Sequence, residues 1–160
     1  MTGLAELPNL IETRFAPIRT VAETGSTNAD LLAAAARGAA EGSVLVTDHQ
    51  TAGRGRQRRN WHDDPGNALL VSVLLRPGRN LAPLLPLLTG VAAVDAVTTL
   101  LEPDHADRPD RPVGLKWPND VLAPALDDRK LAGILAESTT VAPARPGTDD
   151  EPMIVVVGMG

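Results

Sequence analysis

The chain of 160 residues contains no cysteine and very few aromatic side chains: one Phe, two Trp and no Tyr. The lack of cysteine excludes disulfides, thiolate metal sites and cysteine nucleophiles. The scarcity of aromatic residues disfavours single-stranded nucleic-acid binding, which uses stacking platforms. The formal net charge of −5 disfavours a broad contact with a phosphate backbone. We therefore expect no nucleic-acid partner.

We also expect neither a targeting signal nor a membrane span in the sequence. No apolar run is expected to approach the roughly 20 residues of a membrane span. Residues 1–8 lack the basic-then-apolar pattern of a signal peptide. At 43% hydrophobic residues the chain is long enough for one domain with an aliphatic core. We expect one soluble domain, located in the cytoplasm and without a membrane partner.

The order of predicted elements favours an α+β fold, with a mixed β-sheet backed by two helices on one side. Short apolar and β-branched segments predict strands at 43–47, 68–75, 113–117, 131–137 and 153–157. Residues 1–20 are expected to form a loose arm or an edge strand. Polar and Pro-rich stretches predict loops at 48–66, 102–112 and 141–151 and a turn at 124–128.

Two helices are predicted, at 29–37 and 81–101. Ser26 or Thr27 can cap the first helix, because a hydroxyl at this position accepts a hydrogen bond from the first turn. Two prolines near the start of the second segment favour a kink or a late start.

The loop at 48–66 holds four arginines within six residues: Arg54, Arg56, Arg58 and Arg59. Such a cluster repels itself unless an anion lies among the guanidiniums. The neighbouring Gly53 and Gly55 lack side chains, so the backbone can approach a small ligand closely. This composition predicts an anion-binding loop; a solvated basic loop is the alternative.

Two later segments carry further candidate groups, Lys-Trp-Pro-Asn-Asp at 116–120 and Arg-Lys-Leu-Ala-Gly at 129–133. Asn119 and Asp120 could hold a ribose, a phosphate-bound Mg²⁺, or simply the turn. Lys116 could face a phosphate, whereas Trp117 is interpreted as a core residue.

Taken in this order, the segments resemble the catalytic domain of biotin–protein ligases, from about residue 23 to the last residue. The resemblance implies a mixed sheet backed by helices, related to class II aminoacyl-tRNA synthetases. It implies ATP-dependent activation of biotin as biotinyl-5′-AMP, with Mg²⁺, and transfer to a lysine of a biotin carboxyl carrier protein. It also implies that residues 1–160 form the catalytic domain alone, without an N-terminal DNA-binding domain or a C-terminal SH3-like domain.

The resemblance also assigns roles to individual residues, with Lys130 and Arg56 as the catalytic pair. The implied biotin-binding residues are Ser26, Thr27, Asn28, Gln50, Gly53, Arg54, Gly55, Arg56, Lys130 and Gly133. The implied nucleotide-binding residues are Arg54, Arg56, Trp61, Lys116, Asn119 and Asp120, with Asp120 also a candidate Mg²⁺ ligand. Trp61 would stack on adenine, although an indole can also anchor the loop to the core. Many family members have glycine where this chain has Arg58, which leaves the local turn of the loop open.

Three other functions stay open at this point. They are a lipoate–protein ligase or octanoyltransferase, a core that binds biotin with little turnover, and a nucleic-acid-binding protein that uses the arginine loop. The sequence does not predict an oligomeric state.

Overall fold

A seven-stranded mixed sheet forms the centre of the protein, as seen in a computed structural model that describes residues 15, 17–101, 112–139 and 153–160. The strand order is β1-β2-β3-β7-β6-β5-β4, and only the β1–β2 pair is parallel. The strands are β1 (Ile18–Thr20), β2 (Val44–Thr47), β3 (Leu70–Leu75), β4 (Gly114–Lys116), β5 (Asp120–Ala123), β6 (Arg129–Thr139) and β7 (Ile154–Met159).

Two helices flank the sheet. Helix α1 (Thr27–Ala36) begins at the cap Ser26, whose hydroxyl accepts a hydrogen bond from the Ala29 amide. Helix α2 (Leu85–Leu101) follows a short 3-10 turn, Ala82–Leu84. The prolines therefore delay the start of α2, as the sequence predicts.

The helices pack against opposite faces of β7, and the expectation of two helices on one side is wrong. Ile154 and Val156 belong to the core cluster under α1, whereas Val155 and Val157 belong to the cluster under α2. Successive residues of a strand point to opposite faces, so both faces of β7 are covered. This explains why its sequence is a continuous apolar run rather than an alternating one.

The connection from β4 to β6 differs from the sequence-based expectation in two ways. Strand β5 was not predicted; it is four residues long, begins at Asp120 and directly follows the turn at 117–119. Trp117 is not a core residue, because it lies in the turn between β4 and β5 and its surface is 75% exposed. The turn expected at 124–128 is confirmed, with Asp127 and Asp128 in the left-handed region.

Two further expectations concern the start of the chain and its loops. Within residues 1–20, where a loose arm or an edge strand was expected, the structure shows the edge strand β1 (Ile18–Thr20). The predicted loops at 102–112 and 141–151 lie outside the described residues, apart from Pro112.

One helical stretch in the described residues is long and apolar enough to cross a membrane, Ala82–Leu101, with a mean hydropathy of 1.8. The expectation that no apolar run approaches this length is therefore wrong. A single such helix is weak evidence for a membrane span, because the core helix of a globular domain can be equally long and apolar. Here Leu85, Ala93 and Val94 of α2 pack into the core under the sheet. The absence of a membrane partner stays a prediction.

Thr98 in α2 suggests a first test of the packing. Its side chain is buried, and its hydroxyl has no hydrogen-bond partner among the described residues. An unpaired buried hydroxyl costs free energy, so Thr98→Val should raise the free energy of unfolding by roughly 1 kcal/mol. Urea denaturation would measure this. The control is Thr99→Val on the exposed side, for which we expect a change within about 0.5 kcal/mol; a loss of stability in Thr98→Val alone would contradict the assignment.

Candidate active site

Twelve of the predicted site residues line one cavity of about 260 Å³. It lies between the start of α1, the arginine loop and strands β6 and β7. These residues are Ser26, Thr27, Asn28, Gln50, Arg54, Gly55, Arg56, Trp61, Asn119, Asp120, Lys130 and Gly133. Segments more than 100 positions apart in the sequence thus converge on one site.

Two predicted residues do not line this cavity. Lys116 is exposed on the edge strand β4, so the structure does not support its predicted contact with the nucleotide. Gly53 is buried behind the loop, where its carbonyl accepts a hydrogen bond from the Trp61 amide at 2.9 Å. A Cβ at this position would lie 2.7 Å from the Trp61 carbonyl oxygen, so Gly53 permits the loop to close on itself.

The start of α1 is tied to Gln50. The Gln50 side-chain oxygen accepts hydrogen bonds from the Thr27 amide at 2.7 Å and from the Thr27 hydroxyl at 2.9 Å. Ser26 caps α1, which confirms the predicted cap, and it also lines the cavity; its contact with biotin stays a prediction.

A buried polar network continues from Thr27 through β3 to β6. The Ser72 hydroxyl lies 2.7 Å from the Thr27 hydroxyl and 2.6 Å from the Asn28 side-chain oxygen, and Ser72 is fully buried. The Asn28 amide nitrogen donates to Glu137 at 2.9 Å and to the Leu135 carbonyl at 3.2 Å. Asn28 is thus fixed by the protein on both sides of its amide group.

Ser72 and Glu137 were missed by the sequence analysis. Ser72 carries a usable signal, because it is the one polar residue in an otherwise apolar strand, β3. Glu137 lies near the exposed end of β6, and nothing in the sequence alone connects it to the cavity.

The arginine loop forms a hairpin whose tip is stabilised by backbone contacts. The Gly55 amide donates to the Arg59 carbonyl at 2.7 Å, and Arg54 forms a bridge with Asn60. Gln57 and Arg58 have φ values of 57° and 60°, in the left-handed region. The position where many family members have glycine is therefore one where a side chain is strained.

Three cations that line the cavity are held by partners on the β4–β6 side: Arg54, Arg56 and Lys130. An Arg54 guanidinium nitrogen lies 3.3 Å from Glu137, and an Arg56 nitrogen donates to the Asn119 side-chain oxygen at 3.0 Å. The Lys130 ammonium lies 2.9 Å from Asp120 and 4.9 Å from the centre of the Trp61 ring. These side chains are part-exposed, so each pair adds little to stability, but together they fix the direction of the charges.

Gly133 leaves room for this arrangement. A Cβ there would lie 2.9 Å from both the Lys130 ammonium and the edge of the Trp61 ring. Gly133 therefore permits Lys130 to pack against Trp61, and it also lines the cavity. Trp61 packs over Gly133 and Gly160, which favours its role as a loop anchor in this structure.

A magnesium site made by the protein alone does not fit the described residues, which contain no group of three or more His, Asp or Glu placed to hold a metal. Asp120 is the carboxylate that lines the cavity, and it pairs with Lys130. Mg²⁺ commonly binds through one or two carboxylates together with substrate phosphates. Asp120 fits as one ligand of an ion brought by a nucleotide.

The cavity combines a cationic rim with neutral hydrogen-bonding groups. Arg54, Arg56 and Lys130 can receive a carboxylate and a phosphate together, while Gln50 and Thr27 suit an uncharged polar head group. The model of the biotin/lipoate A/B protein ligase family matches residues 23–148. The chain belongs to this family.

Individual relatives agree with this assignment. A biotin–[acetyl-CoA-carboxylase] ligase of Mycobacterium tuberculosis is 48% identical over 123 residues, which are 73% of this chain and 42% of that protein. The biotin protein ligase of Leishmania major, solved in complex with biotinyl-5-AMP, superposes with a TM-score of 0.64 at 31% identity, covering 89% of this chain and 56% of that one. The enzyme of Aquifex aeolicus with biotin and ATP gives 0.62 at 31% identity, covering 90% and 52%.

The comparisons confirm the expected fold and the resemblance to biotin ligases. The chain spans about half the length, or less, of these relatives. The part of these relatives that matches the chain has the family fold, which is similar to that of class II synthetases. The cavity lies within this fold.

The strain at Arg58 suggests a second test. Arg58→Gly removes a side chain from a left-handed position, which should relieve backbone strain. The control is Arg59→Gly at a φ of −71°, where the backbone is not strained and glycine has no strain to relieve. We expect the loop amides of Arg58→Gly to exchange more slowly than those of Arg59→Gly, by a factor that corresponds to about 1 kcal/mol. Hydrogen-exchange mass spectrometry over residues 50–61 would measure it; equal rates in the two variants would contradict the strained turn.

Gly133 suggests a third test. Gly133→Ala should lower the free energy of unfolding by roughly 1–3 kcal/mol, because the added methyl overlaps Lys130 and Trp61. The matched control is Gly25→Ala, where an added Cβ meets nothing within 4 Å. Denaturation followed by circular dichroism gives the comparison; equal stabilities would show that Lys130 and Trp61 can give way without cost.

Proposed function

We propose that this chain is the biotin- and ATP-binding part of a ligase that activates biotin as biotinyl-5′-AMP and transfers it to a lysine of a carrier protein. The observation that carries the proposal is the convergence of Lys130 and Arg56 on the same cavity as the Thr27–Gln50 pair. A charged reaction centre beside a neutral, hydrogen-bonding subsite matches an acid such as biotin, which carries a urea group as well as a carboxylate.

The first step would join the carboxylate of biotin to the α-phosphorus of ATP. A carboxylate oxygen forms the new P–O bond, the bond to the β-phosphate bridge breaks, and pyrophosphate leaves. Both reactants are anionic, so fixed cations lower the barrier by stabilising the charge on the phosphoryl oxygens. Lys130, oriented by Asp120 and Trp61, would act at the carboxylate and α-phosphate, with Arg56 beside it.

The second step would transfer the acyl group. The lysine amine of the carrier attacks the acyl carbon, the bond to AMP breaks, and a proton leaves the nitrogen as the amide forms. Arg54 and Arg56 would retain the adenylate until the carrier arrives, because both carry donors suited to phosphate oxygens. Mg²⁺, when bound with ATP, would supply further charge neutralisation through phosphate oxygens and Asp120.

The names of the relatives support one class of substrate protein. Enzymes named biotin–[acetyl-CoA-carboxylase] ligase support a carboxylase subunit as the acceptor. We propose that the acceptor is its biotin carboxyl carrier domain, that the reaction takes place in the cytoplasm, and that no nucleic acid takes part.

Lys130 provides the test of this function. We expect Lys130→Ala to slow biotin-dependent pyrophosphate release by roughly 10²–10³-fold with little change in stability, because a fixed charge near the reacting phosphate is lost from a part-exposed site. Lys130→Arg should also be poor, since a planar guanidinium does not replace a compact ammonium. The control is Arg129→Ala, an exposed neighbouring cation outside the cavity lining.

The assay uses three readouts on the whole chain. Calorimetry with biotin, lipoate and ATP gives the ligand; pyrophosphate release gives activation; intact mass of a carrier domain gives transfer. Tight binding of lipoate without binding of biotin would contradict the proposal and indicate a lipoate ligase. Binding of biotin without pyrophosphate release would indicate a binding module instead of a ligase. Near-wild-type release by Lys130→Ala would remove Lys130 from the mechanism.

A further inference from the structure

Two titratable residues close the base of the arginine loop, His49 near its start and Asp63 near its end. The His49 Nδ1 atom lies 2.8 Å from the Asp63 carboxylate. The Gln50 backbone amide lies 3.3 and 3.4 Å from the two oxygens of the same carboxylate. Asp63 therefore holds the residue whose side chain reaches Thr27 in the cavity.

The burial of Asp63 shows that this is more than a surface contact. Its side chain is only 2% exposed, whereas His49 is 26% exposed. A buried carboxylate is costly unless it is paired and hydrogen-bonded. The protonated form of His49 supplies the opposite charge, and the Gln50 amide supplies a second donor.

The opposite side of the 49–51 segment is fixed as well. The Thr24 amide donates to the His49 carbonyl at 3.2 Å, and the Thr51 amide donates to the Thr24 carbonyl at 2.9 Å. Gln50 is thus held by the backbone at 24 on one side and by Asp63 on the other. Removing Asp63 would free the second side only.

We infer that Asp63 is a positioning residue for ligand recognition: with His49 it closes the base of the arginine loop and sets the position of Gln50 in the cavity. The inference rests on the proposed function in so far as the ligand is biotin. It assigns a role to a pair that touches neither the cavity nor the cations of the loop.

The charge of His49 should tune this closure. The hydrogen bond to Asp63 raises the pKa of His49 above 6.5; burial lowers it, and the charges of Asp63, Glu23 and Asp48 raise it further. The Glu23 carboxylate lies 3.8 Å from His49 Nε2. Since the folded-state pKa is raised, the ionic contribution is complete below pH 6.5 and is lost as the pH rises through the raised value. A neutral His49 that keeps its Nδ1 proton retains the hydrogen bond, so closure weakens rather than disappears.

The first experiment needs no ligand. NMR titration of the whole chain should show that the pKa of His49 is raised above 6.5. Asp63→Asn, which keeps the shape but removes the charge, should lower the titration midpoint of His49. An unchanged His49 midpoint in Asp63→Asn would overturn the pairing, and His49→Gln identifies the resonance.

The second experiment tests the positioning. Asp63→Ala removes both acceptors, so the Gly55 and Trp61 amides should exchange at least about tenfold faster and biotin should bind roughly ten- to a hundredfold more weakly. The matched control is Asp64→Ala, an exposed neighbour whose exchange and binding should match the wild type. Equal biotin affinities in Asp63→Ala and Asp64→Ala would overturn the positioning role.

The two proposals fail in different ways. A wild-type chain that does not bind biotin would refute the proposed function, while the exchange rates and the His49 titration would still decide on the closure. If Asp63→Ala does not fold, the positioning role is tested by the pH dependence of biotin affinity. The affinity of the wild type should fall with rising pH. The affinities of Asp63→Asn and His49→Gln should not change with pH. A pH dependence that persists in these variants would exclude the pair as its source.

Discussion

The repulsion between the cations at the cavity is the constraint on which the site depends. Arg54, Arg56 and Lys130 line a cavity of about 260 Å³, and nothing in the arginine loop itself neutralises them. The structure separates their partners instead: a carboxylate at the far end of β6, an amide in the β4–β5 turn, and a carboxylate at the start of β5. An anionic ligand would thus meet charges that are already oriented, which is the condition for electrostatic catalysis.

Small residues in β6 and β7 make this arrangement possible. A Cβ at Gly158 would lie 2.4 Å from the Asn28 side-chain oxygen, and one at Gly160 would lie 2.5 Å from Leu70 and 3.2 Å from the Trp61 ring nitrogen. The residues of β7 therefore change in character along the strand: valines fill both cores, whereas Gly158 and, directly after the strand, Gly160 leave room for site residues. The same strand serves stability at one end and ligand geometry at the other.

Site residues with unusual chemistry could be predicted from the sequence, whereas those with ordinary chemistry could not. The arginine cluster, the Ser26–Asn28 triplet and Lys130 stand out by composition, by capping preference and by family resemblance, and the structure brings them together. Ser72, Glu137 and Asp63 act only through contacts made across the sheet or the loop. Such contacts depend on how distant strands and segments pair, and local sequence patterns do not determine this pairing. The prediction that Trp117 is a core residue was wrong because a hydrophobic residue in a short turn can remain exposed.

The loop itself shows why local sequence and local structure disagree at this site. Its tip holds Arg58 in a conformation that arginine adopts only at a cost, and its cations repel one another. Local preference therefore opposes the closed loop, and contacts outside the tip must hold it. Gly53 against Trp61 provides one such contact and Asp63 at the base provides another. A loop that is closed from its base and strained at its tip can respond to an anion by a small change at the tip, without losing the position of Gln50.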